Sequence, residues 1–152
     1  MNKILALLLL LPAVAFAYPQ PKGYVTDDAN LMTPDQVNRI EHRLSEYHKQ
    51  TGIEIAVVTV PNMGGENVEG YANHLFHKWG IGQKGKNNGL LLLLAMQERK
   101  IRIEVGYGLE GLLNDTFCGT VIREQMSPQF KQKQYSQGFR DALEVIFQRL
   151  GK

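Results

Sequence analysis

Apolar positions along the chain repeat with two different periods. Val37, Ile40, Leu44 and Tyr47 recur at helical spacing behind Thr33-Pro34-Asp35-Gln36. There threonine is the N-cap, proline the first helical residue, and glutamine completes a capping box. Gly52 ends this first helix. Val68, Tyr71, Ala72, Leu75, Phe76 and Trp79 trace a second amphipathic stripe, stopped by Gly80. On that stripe Trp79 is expected to be buried against a sheet. Ile53 to Val60 and Leu90 to Ala95 are instead short, nearly unbroken apolar runs, as strands covered on both faces require. Ile101, Ile103 and Val105 alternate with Arg102 and Glu104, which predicts a half-exposed strand paired in a hairpin with its predecessor.

Downstream, Asp115 to about Gln125 fits a short helix ended by Ser127-Pro128. Tyr135, Phe139, Leu143, Ile146 and Leu150 mark the face of a last helix. Tyr24 to Met32 has no period and is read as irregular. The predicted order is helix, strand, helix, strand, strand, helix, helix. A strand-helix-strand unit from Ile53 to Ala95 implies a right-handed parallel crossover. The expected fold class is α/β: a three-layer α/β/α sandwich around a small mixed β-sheet, spanning residues 24–151.

The first residues read as an address. Lys3, the apolar run Ile4 to Leu11, Pro12, and Ala15-Phe16-Ala17 have the order of a cleaved signal peptide, residues 1–17. The run is too short to span a bilayer. Cleavage between Ala17 and Tyr18 would send the protein to the periplasm or the medium, where calcium is available and nucleotide cofactors are scarce. No later run reaches spanning length, so no stable membrane anchor is expected after cleavage. Residues 18–23, rich in proline, read as an extended tether.

The whole chain has 152 residues, with 17 Lys and Arg against 15 Asp and Glu, a net charge of +2. That near balance, without a block of like charges, argues against a nucleic-acid partner. The single cysteine, Cys118, excludes an internal disulfide and a cysteine-based zinc site. Gly80 to Asn87 nearly spells a phosphate-binding loop, but it leaves a helix and enters a strand, the reverse of what such a loop needs. Gly106-Tyr107-Gly108-Leu109-Glu110-Gly111 matches a dinucleotide fingerprint, yet it follows the second arm of a hairpin. His74 and His77 could share a metal only with a third ligand, and none is evident.

The carboxylates carry more. A hairpin sets the start of its first strand beside the end of its second, so Asn87-Asn88-Gly89 should meet the loop from Gly106 to Gly111. Asn88, Glu110 and Asp115 then gather at one edge, and Asp27 and Asp28 could fold in from the N-terminus. These oxygen donors suit calcium, with magnesium the other candidate. The plainer readings stay open: Asp115 as a helix cap, Asp27 and Asp28 as turn residues.

At these residues the chain resembles the TPM domain family, also called TPM phosphatase. The blocks are Val25-Thr26-Asp27-Asp28-Ala29, Thr51 to Val58, Trp79-Gly80-Ile81-Gly82, Asn88-Gly89-Leu90-Leu91, Ile103 to Gly111, and Leu113-Asn114-Asp115. The resemblance implies an exported or membrane-tethered location and divalent-cation binding. Asp27, Asn88, Glu110 and Asp115 match the family's acids and amide, and Asn87 stands where many members have Asp. It also implies two functions: acid phosphatase activity on a phosphorylated small molecule, or a non-catalytic accessory role beside an envelope protein.

Overall fold

A computed structural model of the chain describes residues 18–152, so the expected leader lies outside the described residues. Four strands, β1 (Val25–Asp27), β2 (Glu54–Val60), β3 (Gly89–Ala95) and β4 (Lys100–Val105), form one sheet in the order β1-β2-β3-β4. The first three strands are parallel and β4 is antiparallel to β3. The mixed sheet and the hairpin agree with the sequence pattern. β1 does not: the segment read as irregular adds an edge strand, with Val25 opposite Val57 and Asp27 opposite Thr59.

The helix α1 (Pro34–Thr51) starts with the expected capping box, Thr33 and Gln36 each taking the other's amide, and ends at Gly52 in the left-handed region. α1 covers one face of the sheet together with α3 (Asp115–Val121), α4 (Ser127–Lys131) and α5 (Tyr135–Leu150). On that face Leu90, Leu92, Leu94 and Ile103 meet Ile40, Leu44, Phe139 and Ile146. α2 (Val68–Trp79) covers the other face, where Ala72 and Leu75 meet Val58, Leu91 and Leu93. β3 lies between these layers, and its five consecutive leucines, Leu90–Leu94, are buried whichever way they point. The fold is thus the α/β/α sandwich the two periods implied.

Two local expectations fail for identifiable reasons. The helix expected to stop at Ser127-Pro128 continues. A π-helical turn over Ile122–Met126 joins α3 to α4, and the Ser127 amide donates to the Ile122 carbonyl. The wide turn absorbs Pro128, which has no amide to give. Trp79 is half-buried rather than sealed against the sheet, and its indole N–H donates to the Pro19 carbonyl at 3.0 Å. Residues 18–23 therefore do not hang free. Tyr18 packs against Tyr71 with ring centroids 5.0 Å apart, and its hydroxyl donates to Glu66 at 2.7 Å. Burial and that carboxylate push the Tyr18 phenol up to about 12.

Candidate functional site

The hairpin brings two loops together at the start of β3, as its geometry requires. The Gly106 amide donates to the Gly89 carbonyl at 2.9 Å and the Gly108 amide to the Asn87 carbonyl at 2.9 Å. This approach depends on glycine. A Cβ on Gly106 would overlap the Asn87 carbonyl oxygen, and one on Gly108 the Lys86 carbonyl oxygen. Asn87 itself is in the left-handed region, with φ 50°. Asn88 braces the joint from within. Its Oδ1 accepts from the Gln83 amide and its Nδ2 donates to the Gly52 carbonyl, both at 2.8 Å, which ties the loop to the end of α1.

Beside the joint opens a cleft of about 550 Å³. His77 from α2, Lys84 and Asn87 from the loop, and Glu104, Tyr107 and Glu110 line it. Glu110 is exposed. Glu104 is held by Arg102 at 3.3 Å. Asp115 is exposed in the first turn of α3 and is not its cap, because Asn114 takes the Phe117 amide at 2.9 Å. The sequence reading missed Glu104, His77 and Lys84 as cleft residues. Strand alternation held a signal for Glu104, since its register opposite Leu91 puts it on the α2 side.

Asp27 and Asp28 do not join this group. Parallel pairing puts Asp27 opposite Thr59, near the far end of β2, while Glu54 at the near end faces Gly89. The five residue steps from Glu54 to Thr59 amount to roughly 16 Å of strand rise. Asp27 is occupied there: its carboxylate accepts from the Leu31 amide (3.1 Å), the Met32 amide (2.9 Å) and the Thr59 hydroxyl (2.6 Å). Asp28 pairs with the Lys22 ammonium at 2.8 Å. Asp27 closes the connection from β1 to α1, as turn residues do, and Asp28 ties the same turn back to the segment before β1.

Residues 25–149 of the chain match a known family model, the TPM domain. The chain belongs to the TPM domain family. Three solved structures place this TPM domain among its relatives. It is 36% identical to the N-terminal domain of a protein from P. gingivalis, covering 84% of this chain and 81% of that one, with a TM-score of 0.76. The BA42 protein from the psychrophilic bacterium Bizionia argentinensis is 25% identical, covering 78% and 81%, with a TM-score of 0.67. The N-terminal domain of cg2496 protein from Corynebacterium glutamicum shares the fold, at 17% identity over 85% and 80% with a TM-score of 0.62. No curated protein matches the chain.

The remaining reactive groups of this TPM domain are otherwise engaged. Cys118 is buried, and burial pushes its thiol up to about 11, so it is no thiolate nucleophile near neutrality. His74 Nδ1 lies 2.9 Å from Glu66 and 3.0 Å from the Tyr18 hydroxyl, so it holds the N-terminal segment rather than a site shared with His77. Among the described residues no three His, Cys, Asp or Glu side chains converge as a metal group. None of the described helices is long and apolar enough to cross a membrane.

Proposed function

We propose that this TPM domain is an exported module that binds a divalent cation, calcium first and magnesium second, beside the joint between the Asn87–Gly89 and Gly106–Gly111 loops. The observation that carries this reading is Glu110, an exposed carboxylate on the cleft wall with no ion pair among the described residues, beside main-chain carbonyls that the glycine loops bring close. Asp115, five residues on in the first turn of α3, is also exposed and without an ion pair among the described residues; it does not line the cleft and enters this reading as the second acid. Hard oxygen donors suit these ions and exclude the softer metals. Asn88 contributes by holding the loop. Asp27 and Asp28, proposed from sequence as further ligands, are better read as braces of the opposite end. With two acids and a neutral Asn87, affinity should fall in the range of about 10⁻⁵ to 10⁻³ M.

A bound cation would supply Lewis-acid polarisation of a phosphoryl oxygen, the chemistry that a phosphate-monoester hydrolase needs. In that reading Lys84 offers the cleft a positive charge for an anionic substrate. The second reading is an accessory domain that docks an envelope protein, favoured by Tyr107, which is 81% exposed at the edge of the cleft. Calcium titration followed by thermal unfolding tests the ion. Calcium a hundredfold above its dissociation constant should stabilise the fold by about 2.7 kcal/mol. Glu110→Gln and Asp115→Asn should each remove that gain. Turnover of p-nitrophenyl phosphate that needs the ion and is lost in Glu110→Gln selects the hydrolase; binding without turnover selects the docking module. Export is checked separately, by sequencing a mature N-terminus at Tyr18.

A further inference from the structure

At the opposite end of β3 from the joint, the hairpin turn and the break between α4 and α5 enclose a second pocket of about 420 Å³. Its wall is apolar. Leu94 and Phe130 are buried, and Ile101 and Tyr135 are half-buried around the opening. Its rim carries Arg99, Lys131 and Lys133, and no acidic side chain lines it. None of these three cations has an ion-pair partner among the described residues. In a chain of net charge +2, such a one-signed rim is a local feature and not a reflection of composition.

The backbone gives an independent sign. Four described non-glycine residues lie in the left-handed region: Asn30, Asn87, Arg99 (φ 52°) and Lys133 (φ 60°). Asparagine tolerates that region; arginine and lysine do so at a cost. Lys133 stands where a helix end usually has glycine. Its amide donates to the Phe130 carbonyl at 3.0 Å, and the Gln134 amide donates to the Gln129 carbonyl at 2.9 Å. Arg99 closes the hairpin turn, its amide donating to the Met96 carbonyl at 3.2 Å. Glycine would relieve both positions. Each instead carries a cation to the same rim, the kind of local strain that gathers at binding sites.

We propose that this pocket binds a small amphiphilic anion, with an apolar chain or ring against Leu94, Ile101 and Phe130 and a phosphate or carboxylate head held by Arg99, Lys131 and Lys133. The pocket's size lies within the usual range for small-molecule sites, and an apolar wall with a few convergent polar groups is their usual composition. This site stands apart from the cation reading, since the two lie at opposite ends of β3 and share no residue.

The probe is octyl phosphate, kept below its micellar concentration and titrated into isotope-labelled protein while amide chemical shifts are followed. Octyl glucoside, with the same tail and a neutral head, and inorganic phosphate, the head alone, are the controls. Octyl phosphate should move the amides of Arg99 to Ile101 and Phe130 to Tyr135, and bind at least roughly tenfold tighter than either control. The Arg99→Gly/Lys133→Gly variant suits both backbone positions and should fold. It should weaken octyl phosphate binding by roughly tenfold to a hundredfold and leave octyl glucoside unchanged. Phosphatidylglycerol vesicles distinguish the sources. Cosedimentation lost in the double variant assigns the head to a bilayer lipid, whereas octyl phosphate binding without cosedimentation assigns it to a free amphiphile. Equal affinity for octyl phosphate and octyl glucoside, undiminished affinity in the folded double variant, or shifts centred elsewhere would overturn the proposal.

Discussion

Asp27→Asn separates the two ends of the sheet in a single experiment. The native carboxylate accepts three hydrogen bonds, from the amides of Leu31 and Met32 and from the hydroxyl of Thr59, which is itself fully buried. An amide of the same size keeps one acceptor oxygen and turns an NH₂ group towards a donor. At least one main-chain N–H then loses its partner, and the surviving bonds lose their charge assistance. Bonds to charged groups contribute about 1.5–3 kcal/mol each, and an orphaned donor costs about 1–3 kcal/mol. Allowing for the partial exposure of Asp27, the expected loss is about 2–3 kcal/mol, a large share of the stability of a domain this size. Urea unfolding at constant slope measures it. The same variant, titrated with calcium, should show the wild-type gain in melting temperature, because Asp27 lies at the other end of β2 from the joint and Glu110. A loss below about 0.5 kcal/mol, or a vanished calcium response, would refute this account and return Asp27 to the ion.

Gly106→Ala should press a methyl group onto the Asn87 carbonyl, cost roughly 1–3 kcal/mol, and weaken calcium binding, read by melting with and without the ion. Cys118 should resist a thiol reagent at pH 8 until the chain is unfolded in urea. Its pKa is raised in the fold, so its contribution to stability is complete below about pH 9 and declines as pH rises towards about 11, where the unfolded thiolate forms first; a denaturation series across that window shows the sign. Trp79→Ala should cost about 2 kcal/mol rather than the 3–5 kcal/mol or so of a sealed aromatic, and Trp79→Phe about 1 kcal/mol, with faster proteolysis before Gly23 in both.

Elements with a cap and a clean period were legible in the sequence. α1 begins and ends where Thr33 and Gly52 say it should, and β3 and β4 pair as their alternation implies. β1 was not legible, because three residues are too few to show alternation and the aspartates beside them read as a turn. The helix after Asp115 was misjudged for a different reason. Val121 and Met126 are both buried but lie five apart, a spacing that faces one side only through a π turn. The meeting of the Asn88 and Gly106 loops followed from hairpin geometry alone. The separation of Asp27 from that meeting depended on β1 lying parallel to β2, and the brace by Asn88 on the Gly52 carbonyl at the distant end of α1.

The burial of β3 on both faces also governs what happens when the fold is lost. Leu90 to Ala95 is six apolar residues without charge or proline, the composition of a self-associating cross-β segment. In the native sheet β2 and β4 occupy both of its edges and the helical layers both of its faces. An unfolded chain offers it to its neighbours, flanked on one side by Glu98, Arg99 and Lys100 as charged gatekeepers and on the other by neutral asparagines. Refolding yield should therefore fall as protein concentration rises, with intermolecular pairing starting at these leucines.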